Sequence, residues 1–137
     1  MPHDAVGMSE ISPLVRRSFD EPDERRVMAG GRVVADVVYI GEMPVLRTSH
    51  EPGWRWSEHT RPEVGSDRCP NTHVGMMLFG RMEVEAADGT CLQVGPGDVV
   101  VILPGHDAWT VGNEPAVLLQ FDEGASAARR FGLTGEG

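Results

Sequence analysis

Four side chains of this sequence can ligate a transition metal and stand at the ends of short extended runs or in the loop between them: His59, Cys69, His73 and His106. Imidazole nitrogen is the commonest protein ligand for divalent transition metals, and a neutral imidazole is available at cellular pH. A set of three imidazoles leaves coordination positions open, so an ion there could polarise a substrate oxygen or activate water or dioxygen. A thiolate from Cys69 would soften the site and favour zinc; without it iron, manganese and nickel stay open. Each group also has a plain structural role open to it. His73 could be a core imidazole satisfied by a carbonyl, His106 a turn cap acting through Asp107, and His59 the solvated last residue of its strand. Cys69 could be a small buried hydrophobe.

Strands must deliver these groups to one place. Gly97-Asp98-Val99-Val100-Val101-Ile102-Leu103-Pro104-Gly105-His106 is a glycine-led β-branched run stopped by a Pro-Gly turn, so it carries His106 to a strand mouth. His73 opens a second run through Phe79, apolar on both faces as between a core and a packed layer. In Trp54-Arg55-Trp56-Ser57-Glu58-His59, strict alternation predicts a strand with both tryptophans on one face and Arg55, Ser57 and His59 on the other. Thr60 to Thr72, rich in Pro, Gly, Ser, Asp and Asn, reads as a long loop of the kind that lids and binding sites use.

Further strands are predicted at 33–40, 45–48, 82–86, 90–94, 109–111 and 116–121. Gly41-Glu42 predicts a hairpin between the first two, and Asp88-Gly89 another between the next pair. Residues 1–30 show no sustained period and read as an irregular arm with room for one short helix or edge strand. Ser126 to Phe131, in a tail over 126–137, is expected to form a short helix.

Seventeen glycines and ten prolines among 137 residues favour frequent turns and an all-β single domain over a helical one. A net charge of −9 without a basic cluster argues against nucleic acid and against an anionic membrane surface, leaving a small-molecule ligand as the expected partner. Two cysteines, Cys69 and Cys91, are too few for a disulfide framework. Reduced thiols are the simpler expectation, with one bridge between them the alternative. The first residues lack the charged start and apolar core of a signal peptide, and no apolar run spans a bilayer, so a cytoplasmic protein is expected.

The succession of strands and the motif spacing resemble the cupin superfamily over residues 31–121. The first cupin motif opens with a glycine, five residues and His-x-His, and closes with a glutamate, six residues and a glycine. Gly53 and His59 fit the opening, and His73 and Gly80 fit the close, with histidine at the glutamate place and Arg61 at the second histidine. An alternative alignment puts Asp67 and Cys69 in the His-x-His places. Gly97 and Gly105 match the second motif, whereas Leu103 takes its first proline place and Ala108 its usual histidine place. The resemblance implies an all-β jelly-roll (cupin) β-barrel over 31–125, a metal at its mouth, and a homodimer that exchanges strands or arms.

On this reading the metal set is His59, Cys69, His73 and His106. Trp109, Met77 and Phe79 would form a dry wall of the substrate pocket, Arg55 would orient a carboxylate or carbonyl there, and Asp107 would orient a ligating imidazole. Ordinary packing, an exterior ion pair and turn chemistry are the simpler roles for the same residues. His3, His50 and Cys91 stand outside the constellation. No Gly-rich phosphate loop, Gly-x-Ser-x-Gly elbow or glycosidase-like carboxylate pair is present. The expected function is therefore a metal-binding cupin acting on an oxygen-bearing small molecule as a Lewis-acid isomerase, hydrolase or oxygenase. The alternative is a non-catalytic binding or sensor module.

Overall fold

A computed structural model describes residues 13–121. Nine strands appear in chain order: β1 (Glu24–Met28), β2 (Val33–Ile40), β3 (Met43–His50), β4 (His73–Phe79), β5 (Arg81–Glu85), β6 (Cys91–Val94), β7 (Val99–Ile102), β8 (Asp107–Val111) and β9 (Ala116–Phe121). They form a six-stranded sheet, β1-β2-β3-β9-β4-β7, facing a three-stranded one, β6-β5-β8, with every pairing antiparallel. This is a jelly-roll β fold. The helix expected at 126–131 lies outside the described residues, and among those described no helix is long and apolar enough to cross a membrane.

Local chemistry accounts for most of the ladder. Ile40 pairs with Met43 across the Gly41-Glu42 turn, where Gly41 takes a positive φ that a side chain would resist. The ladder extends β3 beyond the expected 45–48 to His50, which pairs with Val33 on one side and Ala116 on the other. The arm is less irregular than its composition suggests. Its last residues form β1, an edge strand on β2, so the sheet reaches across the boundary expected at residue 30.

The largest departure is at Trp54–His59. Arg55 makes one isolated bridge to Trp109, after which Trp56–Thr60 coils into a π-helical turn that runs on into the short helix α1 (Arg61–Val64). Alternation is broken from outside the segment: Asp107, on β8, accepts hydrogen bonds from the Ser57 amide (3.0 Å) and from Arg55 Nε (3.2 Å). The core between the sheets joins both tryptophans to Met77, Met82, Val100 and Leu118.

Candidate metal centre and cavity

Cys69 reaches the site through the loop, not through a long strand. Its amide donates to the His106 carbonyl (3.0 Å) and its carbonyl accepts from the Gly105 amide (2.7 Å), forming a single antiparallel bridge beside the Pro-Gly turn. β4 begins at His73, two strands from β3 in the sheet, and its imidazole meets the other two groups from that side. The donor atoms of Cys69, His73 and His106 lie within 4.8 Å of one another. The two rings meet edge to face at 5.0 Å.

Hydrogen bonds decide which nitrogen each ring presents. His106 Nδ1 is 2.7 Å from the Leu103 carbonyl, which can only accept, so Nδ1 carries the proton and Nε2 the lone pair. His73 Nδ1 is 2.6 Å from Gln120 Oε1, and the Gln120 amide nitrogen donates in turn to Thr48 Oγ1 at 3.0 Å. His73 Nε2 is therefore also unprotonated, and it stands 3.6 Å from Cys69 Sγ. Partners of this kind on the far nitrogen are what orient imidazole ligands in metal sites. Burial lowers the His106 pKa to about 4 against the raising effect of the Leu103 carbonyl, which keeps the ring neutral near pH 7. Burial also pushes the Cys69 thiol up, opposed by hydrogen bonds from Asn71.

The group fits a divalent ion by its donor set. Tetrahedral zinc with Zn–S of about 2.3 Å and Zn–N of about 2.0 Å holds sulfur and nitrogen about 3.5 Å apart, close to the 3.6 Å between Cys69 and His73. His59 is not part of the group. Its Nδ1 accepts the Arg55 amide proton at 3.0 Å inside the helical turn, a consequence of the coil that replaces the expected strand.

Next to the three donors a cavity of about 390 Å³ opens between the sheets. Its walls come from Trp54, Trp56, Met82, Ile102 and Leu118, with His50, Thr48 and Gln120 as polar groups. The wall expected from Met77, Phe79, Arg55 and Trp109 is corrected. Met77 is fully buried in the core, Phe79 is half exposed, and the Arg55 guanidinium lies over the Trp109 ring at 4.1 Å, away from the cavity. Asp107 is corrected likewise: its carboxylate holds Arg55 and the Ser57 amide, and the imidazole next to it is oriented by Leu103.

Sequence reasoning missed His50 and Gln120. His50 is buried, tilted against Trp54 at 4.7 Å, with Nδ1 3.0 Å from the Ala116 carbonyl and its pKa lowered by burial to about 4. A signal for Gln120 was present: with Ala116 and Leu118 it shares the inward face of β9, a polar residue on an otherwise apolar stripe.

No family model matches the sequence, and no curated protein matches it. Solved structures do. The cupin domain of Schizosaccharomyces pombe Cnp3 superposes with a TM-score of 0.53 at 13% identity, covering 87% of this chain and 81% of that one. A predicted oxalate decarboxylase from Thermotoga maritima gives 0.55 at 21% identity over 79% and 96% of the two chains. The iron(II) form of HppE gives 0.58 at 10% identity over 80% and 60%. At such identities the likeness carries the fold alone, and it agrees with the strand order and the two-sheet cavity: this chain has the cupin-superfamily fold.

Proposed function

We propose that the protein binds a divalent metal through Cys69, His73 and His106, and takes an oxygen-bearing small molecule into the adjoining cavity. One observation carries the reading: three ligating side chains from three separate parts of the chain converge within 4.8 Å, with both imidazole lone pairs left inward by carbonyl partners. The thiolate makes zinc the metal this set suits best. A bound ion would supply Lewis acidity towards a ligand oxygen. The chain's own residues do the rest. Gln120 and Leu103 fix the ring orientations, and Trp54 and Trp56 keep water from the apolar wall.

A binding module without turnover is the second reading, favoured by the absence of any Asp or Glu side chain from the cavity wall among the described residues. Elemental analysis of the purified protein tests the metal. About one zinc per chain is expected, falling well below that in His73→Ala and Cys69→Ser. A chain that takes up no divalent ion, or a His73→Ala variant that keeps it, would refute the proposed centre.

A further inference from the structure

His50 is a second polar anchor at the cavity, separate from the three ligating groups. It closes β3, opposite Ala116 on β9, whereas Gln120, the partner of His73, lies further along β9 on the same inward face. The carbonyl of Ala116 accepts from Nδ1, so Nε2 is the unprotonated nitrogen of a neutral ring. Nε2 has no hydrogen-bond partner among the described residues, and the ring lines the cavity with only 8% of its surface exposed. Nε2 is not fully buried, so it keeps accessible surface, and a ligand donor that reaches it would gain a hydrogen bond.

The rest of the cavity narrows the chemistry. Arg26 is the one lining residue with a fixed charge, and its Nε already holds Glu24 Oε1 at 2.9 Å. An unprotonated imidazole nitrogen accepts from an O–H or N–H. Trp54, tilted against the His50 ring, offers an aromatic surface beside it in the same lining.

We propose that His50 Nε2 accepts a hydrogen bond from the ligand, so that the cavity selects hydroxyl- or amide-bearing ring compounds over molecules of the same shape without a donor. This rests on the reading that the cavity takes a small molecule, but not on the metal. The test uses phenol and anisole as probes of the protein, with binding followed by NMR titration. Phenol should bind about fivefold more tightly than anisole, the ratio one net hydrogen bond to a neutral acceptor supplies. On phenol binding the ¹⁵N resonance of His50 Nε2 should move upfield, as for a nitrogen that accepts a proton bridge.

His50→Asn places an amide nitrogen near the position of Nδ1, keeping a donor for the Ala116 carbonyl while deleting Nε2. In it the phenol-to-anisole ratio should fall to about one. Equal binding of phenol and anisole by the wild type, a ratio that survives in His50→Asn, an unmoved Nε2 resonance, or no binding of any probe would each overturn the inference. Zinc content measured on the same samples reports the metal centre independently, so failure of one reading is told apart from failure of the other.

Discussion

His73 and Gln120 face each other across β4 and β9, Nδ1 to Oε1 at 2.6 Å, and the Gln120 amide is held in turn by Thr48 on β3. A side chain on each of three adjacent strands thus fixes one tautomer of one imidazole. Gln120→Leu keeps the shape of the stripe but frees the ring to rotate and to move its proton. Zinc affinity should fall about 10- to 100-fold, the usual cost of losing an orienting partner, with little change in far-ultraviolet circular dichroism. Competition against a chromophoric chelator measures it, and undiminished affinity would remove Gln120 from the site.

Much of this arrangement is legible in the chain before any coordinates. Strands 33–40, 73–79 and 116–121 fall where β-branched runs and their glycine borders place them, because their signals are local. Trp54–His59 fails for the opposite reason. Its extended backbone lasts only as far as Arg55, because Asp107, fifty residues on from Ser57, offers the Ser57 amide a carboxylate in place of a ladder partner. His50 looks like a surface residue ahead of Glu51-Pro52-Gly53, and its non-local pairing with Val33 and Ala116 and its contact with Trp54 bury it. The convergence of Cys69 with His106 likewise depends on one non-local bridge that no spacing encodes.

The burial of His50 makes stability depend on pH. In the unfolded chain the imidazole takes a proton below about pH 6.5, whereas in the folded protein it stays neutral down to about 4. The unfolded state therefore binds more protons between these values, and stability is full above about 6.5, declines as pH falls and levels off below about 4. The loss amounts to roughly 3 kcal/mol for this group. Urea unfolding at pH 7 and pH 4.5 should show a clear part of that loss in the wild type and less of it in His50→Asn; equal slopes in the two proteins would contradict the assignment.

Asp107 supports the helical turn and not an imidazole. Its buried carboxylate accepts from Arg55 Nε, the Ser57 amide and the amide of Ala108, and Arg55 in turn lies on Trp109. Asp107→Asn keeps the size but weakens the charge-assisted contacts, at a cost of about 1–3 kcal/mol. Hydrogen exchange at the amides of Trp56–Thr60 should quicken while zinc affinity is retained. A loss of zinc affinity with unchanged exchange in that turn would restore Asp107 to the metal site.

Gly75 sets how closely β9 can approach β4. A Cβ built there would stand 1.9 Å from the Leu119 carbonyl oxygen, a backbone atom that no rotamer change can move aside. Gly75 is also the residue paired with Gln120, two positions from His73, so the pressure falls on the very pair that orients the imidazole. Gly75→Ala should therefore cost about 3 kcal/mol or more, as overpacking against backbone does. Zinc affinity of the folded fraction should fall as well, because β9 must retreat and take Gln120 with it. Gly80 provides the comparison: its Cβ would meet the Pro115 carbonyl at 2.1 Å, at the other end of the same strand pair and away from the imidazole. Gly80→Ala should destabilise to a similar degree and leave zinc affinity intact. Calorimetric melting of both variants with and without zinc separates the two effects, and equal loss of affinity in both would mean that strand spacing at Gly75 has no special bearing on the metal centre.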